Sequence, residues 1–244
     1  MQLNKKILNQ SFSFIIPVYN EGKVLEKNTK RLYKYLKDVK FKKFEILLCD
    51  NASTDNTNII AKNLAKKYSE IRYIFTNKEG FGSGVRVGIK SAKFTILILF
   101  PIDLAFHPKY ISESIDALCS KNADVVIGSK WHHKSRINRP FFRRIASFSY
   151  NALVNIFFRI KIYDTQGAVT FKKTSIMPFL KNLSSNNSFL QTQLMIYSRL
   201  NDLKIIEIPV IVDDPRKSSF NLKSEIIKLF MQLIKEYFRI HSRK

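Results

Sequence analysis

Two stretches decide the fold class: Phe12-Ser13-Phe14-Ile15-Ile16-Pro17-Val18-Tyr19-Asn20-Glu21 and Phe44-Glu45-Ile46-Leu47-Leu48-Cys49-Asp50-Asn51. Each opens with a short, nearly continuous apolar run, the pattern of a strand buried on both faces. Between them Leu25, Leu32 and Leu36 recur at helical spacing over 23–36. Ile59, Ile60, Leu64 and Tyr68 mark a helix over 56–68. The alternation continues with strands at 71–75, 95–100 and 124–128 and helices at 82–90 and 108–118. Strand–helix alternation over 128 residues implies an α/β fold with a parallel sheet flanked by helices. Ligands of such sheets gather beyond the carboxyl ends of the strands, which directs attention to loops 19–22, 50–55, 77–84 and 101–107.

The second half reads differently. A long aromatic helix is expected over 139–160, a strand over 168–171, a helix over 189–200 and a strand over 204–210. A basic amphipathic helix follows over 224–240, with Ile226, Ile227, Phe230, Leu233, Ile234, Tyr237 and Phe238 at spacings of three and four. The expected organisation is an extension (1–11), one domain (12–217, with halves 12–128 and 129–217) and the C-terminal helix (218–244).

Composition bounds the rest. The 244 residues are 45% hydrophobic and 25% charged, enough for a real core. Two cysteines make no disulfide framework and fit a reducing compartment. The net charge of +23 points to a polyanionic partner or to a lysine-rich solvated surface. A nucleic-acid-binding module rests on charge alone, without RNA-binding motifs, so nucleic acid is not expected as a partner. The longest purely apolar run, 96–102, is too short to span a bilayer, and the start carries no signal-peptide run.

Asp50 sits at the tip of a buried strand. A carboxylate there can accept hydrogen bonds from a base edge or from ribose hydroxyls; equally, Asp50 and Asp55 can serve only to cap and turn.

Taken together, 14–21 (FIIPVYNE), 50–57 (DNASTDNT) and the Gly80-Phe81-Gly82-Ser83-Gly84 segment following Asn77 resemble family 2 glycosyltransferases. Further on, 124–130 (DVVIGSK), 163–172 (YDTQGAVTFK) and 207–210 (EIPV) resemble dolichyl- and polyprenyl-phosphate hexose synthases, so the likeness covers about 12–222. The resemblance implies a GT-A fold, a nucleotide-sugar donor, a Mg2+ or Mn2+ ion and inverting transfer to a polyprenyl phosphate. By position it implies that Pro17, Val18, Tyr19 and Glu21 line the nucleotide pocket and that Asp50 reads the base. Gly82 would let backbone approach the nucleotide, and Gln166 would contribute to donor binding. Asp103 would face the metal and diphosphate, and Arg143 and Arg144 would manage phosphate charge. UDP-glucose is the first donor expected and GDP-mannose the second.

Three departures stand out. Pro101 replaces the first acid of the family's Asp-x-Asp metal motif. Gln193 stands where an acid is usual, and Ser219-Phe220-Asn221 replaces a Ser-Lys pattern. They motivate an alternative, a nucleotide-sugar-binding protein that has lost its chemistry; a further alternative is another glycan acceptor. A lipid phosphate is already ionised, so a site short of carboxylates suits it better than a hydroxyl needing a general base. Lys223, Lys228, Lys235 and Arg239 beside the apolar stripe suit an anionic membrane surface, as does the aromatic helix. The expected location is peripheral, on the cytoplasmic face, with a membrane partner protein as the fallback. The stripe would serve equally well packed on the domain.

Overall fold

The structure, a computed structural model, describes residues 5–214 and 222–242. The 219–221 departure and the side chains of Lys223 and Ile226 lie outside the described residues.

A short helix α1 (Lys5–Leu8) precedes strand β1 (Ser11–Val18). The expected alternation follows: α2 (Leu25–Asp38), β2 (Lys43–Asn51), α3 (Thr57–Lys67), β3 (Ile71–Thr76), α4 (Phe81–Ser91), β4 (Ile96–Leu99), α5 (Lys109–Ser120) and β5 (Val125–Ser129). Then come β6 (Arg136–Asn138), α6 (Phe141–Phe158), β7 (Ala168–Lys172), α7 (Lys173–Ile176) and a 3-10 turn (Met177–Asn182). The described chain closes with α8 (Phe189–Leu200), β8 (Ile205–Pro209), β9 (Ile211–Asp213) and α9 (Leu222–His241).

Seven strands form one sheet in the order β3-β2-β1-β4-β7-β5-β8. β7 alone runs antiparallel; it lies between β4 and β5 and pairs with both. β7, from the second half, thus separates β4 from β5. A short apolar run announces burial without announcing its neighbours, so the insertion is a tertiary choice.

The strands alternate sides at period two. Phe12, Phe14, Ile16, Ile46 and Leu48 face one core with α2, α3 and α5. Ile15, Leu47, Leu97, Leu99, Ile127 and Phe171 face the other with α4, α6, α8 and α9. α9 reaches that second core through Leu229 and Leu233, and Tyr237 meets Phe157 edge-on at 5.5 Å. Burying each leucine stabilises the docked helix by about 1.5–3 kcal/mol. The C-terminal stripe is therefore divided. Leu233 is buried with Tyr237 packed beside it, while Ile227, Phe230 and Phe238 are exposed.

Pro17 occupies a central strand at no cost to the ladder. The Phe100 N–H donates to Ile15 O at 3.1 Å, so odd-numbered residues of β1 bond toward β4. Pairing with β4 ends at Ile15, and the N–H that Pro17 lacks would face the open side. A cleft begins there. Beside it, β6 and β9 form a small parallel ribbon that joins the loop after β4, with His107 N–H donating to Ile211 O and Asp213 N–H to Ala105 O, both at 2.9 Å. Among the described residues no helix is long and apolar enough to cross a membrane.

Candidate active site

The first two expected loops are one structure. Asn20, in the left-handed region at φ 53°, turns its side chain into the loop after β2. Its Oδ1 accepts from Thr54 N at 2.8 Å, Thr54 Oγ1 at 3.3 Å and Asp55 N at 3.3 Å. Return bonds run from Asn20 N to Ser53 Oγ, Glu21 N to Thr57 Oγ1 and Gly22 N to Asp55 Oδ2, at 3.1, 2.8 and 3.1 Å. Burial pushes the Asp55 carboxyl up, but the hydrogen bonds from Thr57 and Gly22 together outweigh it and hold the group below the usual range.

Asp50 is wholly buried. Oδ1 accepts from Ser53 N at 2.9 Å and Oδ2 from Tyr73 Oη at 3.0 Å. Burial and the Asp50 carboxylate push the Tyr73 hydroxyl up to about 12, so it stays a donor. Asp50 thus holds the turn. Pro17 and Glu21 are half-buried, Val18 is buried and Tyr19 is exposed along the same edge. Asn51, buried at the end of β2, orients its amide to donate to Val18 O at 2.7 Å and to accept from Gly80 N at 3.2 Å. That pair of bonds ties the third loop to the first two.

Gly82 sits against a distant part of the chain. Its missing side chain makes room for the chain itself: a Cβ would come within 2.2 Å of Ser185 O. Its N–H donates to Asn186 O at 2.7 Å. Gly80, at φ 101°, is pressed equally close to Asn186. Interiors are close-packed, and residues 185–187 fill the space that the glycines leave. Arg86 completes the seam, donating to the carbonyls of Leu183 and Ser185 and to Asn186 Oδ1.

A cavity of about 730 Å³ opens past the end of β4, where Pro101 lines it. Its lining includes the charged and polar side chains of Asp103, Lys130, Gln166, Arg139, Arg143 and Asp214. Ser147, Ser149, Tyr150 and Ser188 also line it, and Phe142, Ile145, Leu153, Leu229 and Phe230 of α6 and α9 supply apolar lining. Asp103 Oδ1 accepts the Ala105 N–H at 2.9 Å across Leu104, which is held at φ 54°. A left-handed leucine costs on the order of 1–3 kcal/mol and persists because the neighbouring ribbon over-determines the loop. Lys130 Nζ pairs with the buried Asp164 at 2.7 Å and donates to Gln166 O at 3.0 Å. The Gln166 Nε2 is buried without a hydrogen-bond partner.

The two adjacent arginines separate. Arg143 lines the cavity and donates to Asp214 Oδ2 at 3.1 Å, with Arg139 Nε 3.7 Å from the same oxygen. Arg144 is exposed and outside the lining. Successive helical residues point about 100° apart, and here that rotation carries Arg144 out of the lining. The turn over 131–135 is tied down. Trp131 meets Phe148 edge-on at 5.4 Å, and Ser135 Oγ donates to Ser129 O at 2.6 Å.

Among the described residues no group of three or more His, Cys, Asp or Glu could hold a metal. Asp103 is the carboxylate that the loop after β4 brings to the cavity, and Pro101 lines it where an acid was expected. His107 faces elsewhere, its Nδ1 accepting from Lys109 N at 3.2 Å. Such a donor set fits a Mg2+-like ion shared with a bound diphosphate, because that ion accepts one carboxylate plus phosphate oxygens and waters.

Sequence reasoning missed Asn20, Lys130 and Asp214 as site residues. Asn20 and Lys130 sat inside the motifs already quoted. Asp214 carried no local signal, because its partners Arg139 and Arg143 lie more than seventy residues away.

Comparison with known proteins bears on this arrangement. The family model described as Glycosyl transferase family 2 matches residues 13–180. Glycosyltransferase AglD of Haloferax volcanii is 24% identical over 234 residues, 95% of this chain. The chain spans 38% of that relative's length. A dolichyl-phosphate beta-glucosyltransferase of Trichomonas vaginalis is 25% identical over 236 residues, covering 91% of this chain and 72% of the relative. Among solved structures, glucosyl-3-phosphoglycerate synthase of Mycobacterium tuberculosis, in complex with Mn2+, UDP and glucosyl-3-phosphoglycerate, superposes with a TM-score of 0.68. It is 15% identical, and the match covers 94% of this chain and 79% of that one. The same enzyme with Mg2+ and UDP gives 0.66, with 94% and 79% covered. The shared architecture is the GT-A fold.

Proposed function

Because the chain belongs to glycosyltransferase family 2, we propose that it transfers a hexose from a nucleotide sugar to a polyprenyl phosphate at a membrane surface. The observation that carries the acceptor is the cavity, whose lining joins cationic and polar side chains to apolar ones from α6 and α9. A phosphate on an isoprenoid chain has that same polarity.

The donor belongs at the edge built by 17–22, 50–57 and 80–84, with Pro17, Val18, Tyr19 and Glu21 along it. Asp50 acts there by holding the turn. UDP-glucose is the first donor to try, since a dolichyl-phosphate glucosyltransferase is among the relatives and UDP occupies the mycobacterial enzyme; GDP-mannose is the second. Asp103 would hold a Mg2+ or Mn2+ ion together with the diphosphate, and the ion when bound would supply charge stabilisation to the leaving group. The chain's own residues do the rest. Arg143 and Arg139 hold the acceptor phosphate in place of Asp214, and Lys130 and the unpartnered Gln166 amide donate toward the reacting groups. The acceptor phosphate is the nucleophile and needs no base, so Pro101 in place of an acid removes no base the reaction requires.

The membrane contact follows from the same elements. Phe141, Phe142 and Phe148 on α6 and Ile227, Phe230, Met231 and Phe238 on α9 are exposed, with Phe142 77% so. Lysines on α9 and the charge of +23 suit anionic headgroups.

The deciding experiment incubates the protein with polyprenyl phosphate in anionic vesicles, Mg2+ or Mn2+, and each nucleotide sugar. Glycolipid from UDP-glucose is expected. Tight nucleotide binding with no product from any donor would favour the alternative of a binding protein without chemistry. Protein left at the bottom of a flotation gradient with anionic vesicles at low salt would remove the membrane-surface part and call for a partner protein.

A further inference from the structure

The seam between α4 and residues 185–187 does not end there. Ser185 N–H donates to Gln193 Oε1 at 2.9 Å, and Gln193 Nε2 donates to Glu236 Oε2 on α9, also at 2.9 Å. Gln193 is 2% exposed and Glu236 5%. Arg239 holds the other Glu236 oxygen at 2.5 Å and donates to Asn182 O and Ser184 Oγ at 2.7 and 2.9 Å. Gln232 accepts from Asn187 Nδ2 at 3.1 Å. Three residues on one side of α9 thus grip the segment that packs on Gly80 and Gly82.

That segment bears on the donor edge through one turn of helix. Gly84 follows immediately, and a Cβ there would meet the Asn51 side-chain amide, Cys49 O and Pro17 Cβ, each at 3.2 Å. The first turn of α4 is wedged between the tips of β1 and β2 on one side and residues 185–187 on the other. Close-packed contacts of this kind pass small displacements on rather than absorbing them.

We propose that Glu236 is a positioning residue for nucleotide binding: through Gln193 it sets residues 185–187, and through them the first turn of α4, against the donor edge. The chemistry explains why an amide stands at 193. An amide both donates and accepts, so it can link the Glu236 carboxylate to the Ser185 N–H; a carboxylate at 193 would face Glu236 as a like charge. Gln193 on α8 and Glu236 on α9 work as a pair.

The proposal rests on the reading that the nucleotide binds at this edge, and the test separates the two. Affinity for UDP and for GDP is measured by calorimetry on the folded protein, with a melting curve for each variant. Glu236→Gln should weaken the nucleotide that the wild type binds by about tenfold, the scale of one charge-assisted hydrogen bond. Gln193→Glu should weaken it further, and the double swap Gln193→Glu with Glu236→Gln should recover to within about threefold of wild type. If Gln193→Glu gives no folded protein, Glu236→Gln and the double swap decide. A wild type that binds neither nucleotide overturns the donor-site reading and this proposal with it. A wild type that binds, with Glu236→Gln binding equally well, overturns the proposal alone, as does a lowered melting temperature with unchanged affinity. A double swap no better than Glu236→Gln overturns the pairing.

Discussion

The donor edge and the acceptor cavity are built by different means. At the donor edge, two short loops on adjacent parallel strands satisfy each other: one side chain, Asn20, accepts three hydrogen bonds from the next loop. The cavity has no such local logic. Asp103, Lys130, Arg143 and Asp214 come from four parts of the chain and meet because β6, β9 and α6 are folded over the end of β4. A compact motif carries its own partners with it, whereas an assembled cavity depends on every element that frames it. Substitutions in the two regions should therefore separate cleanly, the first acting on the donor and the second on the acceptor or on chemistry.

The largest effect is expected at the junction of the two. Asp103→Asn should lower transfer by about 10²–10³-fold, the scale of losing one group that stabilises developing charge, with the melting temperature unchanged because the side chain lies in a loop. A loss under tenfold would remove Asp103 from the chemistry. Next, Arg143→Gln should raise the KM for polyprenyl phosphate by about tenfold or more while the donor KM stays within about twofold. Arg144→Gln, the contrast, should leave both unchanged; equal effects from the two arginines would break the distinction drawn between them. Asn20→Ala tests the other region. Losing its bonds should weaken nucleotide binding about fivefold and lower stability by about 1–2 kcal/mol, leaving the acceptor KM alone.

The smallest effect is a pH dependence. The Asp55 pKa is lowered on folding, so its contribution is complete above the unfolded value of 3.8 and is lost as pH falls through the lowered folded value. Nucleotide affinity and melting temperature should decline together in that acid range. Asp55→Asn should flatten that part of the profile, and an unchanged profile would deny the bonds to Gly22 and Thr57 any role.

How much was legible follows the same divide. The apolar runs at 12–18 and 44–49 were readable because strands buried on both faces announce themselves without reference to partners. The donor loops were readable because their motifs are short and contiguous. Gly82 was read as space for a nucleotide, and Ser185 and Asn186, about a hundred residues on, occupy it. Arg143 and Arg144 looked equivalent as neighbours in sequence, and helical geometry sends one into the cavity and the other to solvent.

The sequence by itself determined the alternating α/β architecture, the edge where ligands gather and the family, because hydrophobic periodicity and contiguous motifs are local properties. Only the tertiary structure decided that β7 enters antiparallel between β4 and β5. It also decided that Asp214 holds Arg143 and that Glu236 answers Gln193. Those choices depend on which surfaces bury each other and which buried charges find partners across forty to seventy residues, and no window along the chain contains both members of such a pair.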